Sequence, residues 1–167
     1  MQFTSSEANK YLRQLNDRKI MMRSDETQNS TFVAATIEDI EDVRPEYDLE
    51  TSHKQLAEID SKIRKLKHAI NLFNAQTTVD GFDMTIDEML VYLPQLTQRI
   101  DALNSLSTNP AKERLNGRTS INLIEYRYAN YDVQQARELY NELVELQHRA
   151  QTVLDLVNST VKFDVEI

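Results

Sequence analysis

The sequence predicts a mainly α protein: an antiparallel bundle of long helices of coiled-coil type, with a small β-sheet or hairpin at one end. Three observations predict it. Only 2 Gly and 3 Pro occur among 167 residues, which leaves little material for a turn-rich β fold. The stretch "LAEIDSKIRKLKHAINLF" sets Leu56, Ile59, Ile63, Leu66, Ile70 and Phe73 at alternating steps of three and four, the pattern of a helix whose seam faces a partner helix. The same alternation recurs in two later segments, so the long helices can cover one another.

The elements follow in chain order. Thr4 stands three residues before Glu7, the capping-box spacing, and Ala8, Leu12, Leu15 and Met22 share a face behind it. A short first helix over 5–22 follows, with "RSDETQNS" as a polar loop after it. The β-branched stretch "TFVAATI" points to a short strand. Pro45 and Asp48 then announce a long helix over 48–74, because Pro cannot continue a helix and Asp caps one. Asp80-Gly81 is a type I′ hairpin signal, with Val79 and Phe82 as the cross-strand pair.

Thr85 and Glu88 repeat the capping-box spacing and open a helix over 85–106, with Ile86, Met89, Leu93, Leu96, Ile100 and Leu103 along its seam. Pro94 lies inside it, so a kink is expected there. After Pro110 and Asn116-Gly117, "SINLIEYRYANY" alternates at Ile121 and Leu123 and then, in the other phase, at Tyr126 and Tyr128, as a bulged strand does. Asp132 and Gln135 have the spacing of a helix start, and Ala136, Leu139, Leu143, Leu146, Ala150, Val153 and Val157 form the seam of a helix over 132–158, widened by Tyr140 and Leu154. A terminal strand over 160–167 alternates Val161, Phe163, Val165 and Ile167 with Lys162, Asp164 and Glu166. One helical domain over 1–167 is the organisation that length predicts. Leu143 and Ile63 are expected in its core.

Over roughly Leu56 to the C-terminus, and most visibly from "INLFNAQTTVDGFDMTIDEML" onward, the chain resembles the septicolysin-like family of small bacterial helical proteins. The resemblance rests on the helix end at Asn71 and Asn74, the Asp80-Gly81 turn leading to Thr85, the strand before Tyr131-Asp132, and "NELVELQHRAQTVLDLVN". The sequence departs from that pattern at Pro94 and in "STVKFDVEI". The resemblance implies a mainly helical protein whose function is not established, some of its relatives bearing a cytolysin-type name; it brings no catalytic residue.

The chemistry legible in the residues is sparse. There is no Cys, hence no disulfide framework and no thiolate metal site, which permits a cytoplasmic location. "MQFTSSEANK" has no basic stretch followed by an apolar run, so no export signal is expected, and no segment approaches the ~20 continuous apolar residues of a spanning helix. His53, His68 and His148 lie off the seams and lack the spacing that sets two ligands on one helical face. No metal and no cofactor is expected. With no Gly-rich phosphate loop and no nucleophile elbow, no catalytic residue is assigned and a non-enzyme is expected.

Charge narrows the partners. The chain carries a formal −8, of which −6 falls in the stretch 38–50, "EDIEDVRPEYDLE". An acidic protein is repelled by phosphate backbones, so no nucleic acid is expected, and the acidic run reads as a solvated loop lacking the Gly turn of a calcium loop. Lys62, Arg64, Lys65 and Lys67 form the one basic cluster, with Lys62 and Lys67 flanking the seam and the other two pointing outward. Tyr126, Tyr128, Tyr131 and Tyr140 gather around the last strand-to-helix junction; they read as a core wall, although Tyr is also favoured at interfaces.

The candidate interaction surface is therefore Lys62, Arg64, Lys65, Lys67, Tyr126 and Tyr128. The expected role is a non-catalytic structural or protein-interaction protein; the alternative, a membrane-active protein, comes from the family resemblance, while the amphipathic helices lack the Lys/Arg-rich faces and Trp anchors of interfacial helices. A homo-oligomer, dimer first, is expected, because the first helix has Arg18 and Lys19 where its stripe should continue, Leu90, Leu106 and Leu154 lie beside their seams, and the terminal strand has an open edge.

Overall fold

A computed structural model describes residues 1–115 and 124–167 of the chain. Asn116, Gly117, Ile121 and Leu123 lie outside the described residues, and with them the expected change of phase in the strand. The described residues form β1 (Gln2–Thr4), α1 (Ser5–Asn29), α2 (Ile40–Val43), α3 (Leu49–Gln76), β2 (Thr78–Val79), β3 (Met84–Thr85), α4 (Ile86–Thr108), β4 (Lys112–Leu115), β5 (Glu125–Tyr128), α5 (Val133–Thr160) and β6 (Lys162–Asp164). The fold is mainly helical, with three small two-stranded antiparallel sheets, β1 with β6, β2 with β3 and β4 with β5. Contacts group into two compact units, Met1–Gln76 with Val157–Ile167, and Thr77–Leu156.

In the first unit, α1 opens on a capping box. Glu7 N donates to Thr4 Oγ1 at 3.2 Å, while Thr4 N donates to Glu7 Oε2 at 2.8 Å, so two donors that the first turn leaves free are satisfied reciprocally. The helix continues seven residues beyond the expected end at Met22, to Asn29. "RSDETQN" contains no Gly or Pro to stop it, and its last turns are held from the side: Tyr47 Oη donates to Glu26 Oε1 at 3.0 Å and His53 Nε2 lies 3.2 Å from the same oxygen. The expected strand in "TFVAATI" is absent, and Thr31, Phe32 and Val33 are exposed irregular chain. With no paired neighbour, β-branched content alone does not make a strand.

The seam of α3 finds its cover in this unit. Ile59, Ile63, Leu66 and Ile70 join Ala8 and Leu15 of α1 and Val165 of the terminal segment in one buried cluster, flanked by Phe3, Tyr11, Leu12, Met22, Phe163 and Ile167. Lys19 pairs with Asp60, and Glu26 with His53, so positions ascend on α1 as they descend on α3 and the two helices run antiparallel. Lys19, which interrupts the α1 stripe, thus has a specific partner. Beyond Ile70, Phe73 stacks on Phe163 with ring centroids 4.6 Å apart.

The terminal strand is also partnered within the chain. β6 pairs with β1 in the register Gln2↔Asp164, Phe3↔Phe163 and Thr4↔Lys162, and Val165 N and Met1 O extend the ladder at 2.8 Å. Alternation places Phe163, Val165 and Ile167 inward and Lys162, Asp164 and Glu166 outward; Val161, expected on the inner face, is exposed because α5 runs on to Thr160 and the strand begins only at Lys162.

In the second unit, β2 and β3 pair as Thr78↔Thr85 and Val79↔Met84, so Met84 stands where Phe82 was expected. Phe82 N donates to Val79 O at 3.2 Å across Asp80-Gly81, and only Gly81 has a positive φ, +78°. Positive φ at the third position alone is the signature of a type II turn, whereas type I′ requires it at both central residues. A second capping box, Thr85 with Glu88, starts α4, which runs helical through Pro94. Ile86, Met89, Leu96 and Ile100 of α4 are buried, as are Ala136, Ala150 and Leu154 of α5. Gln147 Nε2 donates to Thr97 Oγ1 at 2.7 Å and Arg137 Nε to Ser107 O at 3.0 Å, which makes α4 and α5 antiparallel.

Two expectations on α5 change. Leu154 is buried and not left uncovered, while Leu139 on the expected seam is exposed and Leu143 is half-buried. Toward the C-terminal end of the helix the seam residues Ala150 and Val157 are buried together with Leu154, so the buried stripe is widest there. Leu90 and Leu106 are exposed, as expected.

Leu66, fully buried, is the sharpest test of the α3 seam. Leu66→Ala is expected to cost about 2–5 kcal/mol, and Arg64→Ala, on the exposed face, within about 0.5 kcal/mol of zero. Urea melts followed by circular dichroism check both; equal losses would contradict the face assignment.

Candidate interaction surfaces

The basic residues Lys62, Arg64, Lys65 and Lys67 are all exposed on α3, in the first unit. Tyr126 and Tyr128 belong to β5, in the second. The structure brings the two tyrosines together, with ring centroids 6.3 Å apart, and does not join them to the basic cluster in one unit. Tyr126, Tyr128 and Tyr131 are exposed and do not form the expected core wall; only Tyr140 is half-buried. The reason is that β4 and β5 form a ribbon of their own. Tyr131 serves instead as a tie between helices. Its hydroxyl donates to Leu106 O at 2.9 Å and accepts from Asn109 Nδ2 at 3.0 Å, which fastens the end of α4 to the start of α5.

Antiparallel register decides what each face of the ribbon carries. Lys112 opposes Tyr128 and Arg114 opposes Tyr126, so these four side chains share one face; Glu113 opposes Arg127 and Leu115 opposes Glu125 on the other. On the first face Lys112 Nζ lies 4.1 Å from the Tyr126 ring centroid and 5.4 Å from that of Tyr128. A cation over the negative face of an aromatic ring is attracted by its quadrupole. On the second face Arg127 pairs with Glu113 at 3.7 Å. The signal for this arrangement was present in the sequence as alternation in "KERL" and "EYRY", but pairing fixes which residues meet.

The acidic stretch 38–50 is structural at several points. Asp39 Oδ1 accepts from Glu41 N at 3.0 Å and caps α2, Asp48 Oδ1 accepts from Glu50 N at 3.0 Å at the start of α3, and Arg44 pairs with Glu41 at 2.8 Å. Around it Val33 and Ile37 are each 94% exposed, and Ile40 and Val43 of α2 are exposed as well. Among the described residues no group of three or more His, Asp or Glu side chains is placed to hold a metal ion. His53, His68 and His148 are exposed. His148 lines an open groove of the second unit with Leu93, Pro94, Thr97, Val144 and Gln147.

Four carboxylates are held below their ordinary pKa. The causes are, first, the backbone N–H of Thr4 for Glu7 and of Thr85 for Glu88, the Thr51 hydroxyl for Asp48, and the hydrogen bond from Lys19 for Asp60. Partial burial raises the Tyr47 hydroxyl, and its bond to Glu26 adds to the rise.

No family model matches the chain, and no curated protein matches it. Among solved structures it is similar to the crystal structure of a functionally unknown conserved protein from Corynebacterium diphtheriae, with a TM-score of 0.58 and 15% sequence identity over 98% of this chain and 100% of that chain. At that identity the likeness shows the fold alone. Among the described residues no helix is long and apolar enough to cross a membrane.

The depressed carboxylates give a pH dependence whose sign is fixed. A pKa lower in the folded than in the unfolded chain contributes stability above the unfolded value, and that contribution is lost as pH falls through the folded one. Melting temperature is therefore expected to fall on acidification through and below the ordinary carboxylate range. Glu88→Gln, which removes one of the four, is expected to flatten the profile; an unchanged slope would show that the capping carboxylate does not contribute.

Proposed function

We propose that this is a non-catalytic structural and protein-interaction protein, a coiled-coil-like helical scaffold of the cytoplasm that acts as a homo-oligomer, a two-fold dimer first. The observation that carries the reading is the set of large apolar side chains left on the surface of the second unit. Leu90 and Val91 of α4 and Leu139 and Val144 of α5 are exposed. Burying such side chains gains about 25 cal/mol per Å² removed from water, which favours a partner surface over solvent. A second copy of the chain is the partner always present at equal concentration, and two-fold closure buries the same surface on both copies.

The septicolysin-like resemblance and the exposed residues Lys62, Arg64, Lys65 and Lys67 are compatible with this role. Light scattering coupled to gel filtration at tens of micromolar is expected to give twice the 19.4 kDa chain mass. A monomer mass would overturn the self-association. Leakage of liposomes at low protein concentration would instead support the membrane-active function that the resemblance implies.

A further inference from the structure

We infer that the cationic, aromatic face of the β4–β5 ribbon, made by Lys112, Arg114, Tyr126 and Tyr128, is a docking surface for the acidic and apolar segment around α2 of a second copy of the chain. The inference rests on the self-association proposed above and adds a charged contact to the apolar side chains of α4 and α5 that carry it.

The first argument concerns the ribbon itself. Leu115 is half-buried and the other seven residues of the two strands are exposed. A two-stranded ribbon solvated on both faces is marginally stable in water unless something packs on it. The two faces differ in what they need. On one, Glu113 and Arg127 neutralise each other at 3.7 Å. On the other, no carboxylate of the described residues pairs with Lys112 or Arg114; Lys112 lies over the rings of Tyr126 and Tyr128, residues 42% and 62% exposed, and Arg114 is opposite Tyr126 in the register. That face carries +2 in a chain whose net charge is −8. Such a face fits an anionic partner that also brings apolar groups, because tyrosine offers apolar ring area together with a polar tip.

The second argument concerns the occupant. Glu38, Asp39, Glu41 and Asp42 stand among Val33, Ile37, Ile40 and Val43, and all eight are exposed. Val33 and Ile37 are each 94% exposed and Ile40 and Val43 are exposed beside them, so one short segment offers several aliphatic side chains to a partner. Within the segment Glu41 is paired with Arg44, which leaves Glu38, Asp39 and Asp42 as the carboxylates that complement Lys112 and Arg114, with aliphatic groups for Tyr126 and Tyr128. The two surfaces lie at different places on the chain, so a two-fold dimer built on them carries the same contact twice. Complementary charge of this kind sets register and speeds encounter, and it weakens with salt.

A charge-reversal cycle tests it. The variants K112E/R114E and E41K/D42K change exposed side chains, and the Glu41–Arg44 pair that the second gives up is itself exposed and contributes little, so each is expected to keep the wild-type circular-dichroism spectrum and nearly the wild-type melt. Light scattering at tens of micromolar is expected to give a dimer for the wild type and a monomer for each variant, with dimer affinity weakened at least about tenfold. An equimolar mixture of the two variants is expected to restore the dimer, since K112E/R114E then meets E41K/D42K while the unaltered ribbon meets the unaltered acidic segment. Three results would overturn the inference. A wild-type dimer that K112E/R114E leaves intact would place the contact elsewhere while preserving self-association; a wild-type monomer would remove both. Binding of a single-stranded oligonucleotide, lost in K112E/R114E with the dimer unchanged, would assign the face to nucleic acid.

Discussion

The rest of the first unit depends on how the seam of α3 is covered. Ile59, Ile63, Leu66 and Ile70 need an apolar wall along several helical turns, and α1 supplies much of it, through Ala8 and Leu15 with Tyr11, Leu12 and Met22 beside them. The remainder comes from the far end of the chain, where Val165 enters the same cluster and Phe163 stacks on Phe73. That is why β1 and β6 have to pair: the short ladder from Gln2 to Asp164 fixes the register that turns Phe163 and Val165 inward. A slip of one residue would turn Lys162 and Asp164 to the core instead. Three residues of strand therefore control a cluster built mostly of helix.

The long elements were legible in the sequence because their information is local and repeated. Two capping boxes, at Thr4 with Glu7 and Thr85 with Glu88, and steps of three and four along α3 set boundaries and faces without reference to any other segment. What was not legible depended on partners. The end of α1 is fixed by Tyr47 and His53 meeting Glu26, a contact between residues 21 and 27 positions apart, and nothing in "RSDETQN" announces it. "QFT" is too short to show a period, so β1 emerges only once β6 is beside it. The Asp80-Gly81 turn was placed correctly but typed wrongly, since the dipeptide allows either geometry and the pairing of Val79 with Met84 chooses.

The candidate surface was half legible for the same reason. Tyr126 and Tyr128 were singled out by residue type, yet their exposure and their association with Lys112 and Arg114 follow from strand register, to which "KERL" contributes as much as "EYRY". The basic cluster on α3 was read from composition alone, and its four residues prove to be an exposed helix face whose neighbour Asp60 is already engaged by Lys19. Composition locates charge along the chain; pairing decides which charges are left without a counterpart.

The first unit is discontinuous, made of Met1–Gln76 and Val157–Ile167 with the whole second unit between them. On a ribosome this order matters. α1 and α3 emerge first and can pair, but Val165 and Phe163 reach the tunnel exit only after the 77–156 stretch has been made, so the end of the helix pair near Ile70 and Phe73 stays apolar and uncovered throughout that interval. The second unit, continuous in sequence, has no such wait. The nascent chain thus passes through a stage in which its earlier half is the unfinished one, and chaperones that hold exposed apolar seams would find their site there rather than on the most recently made residues.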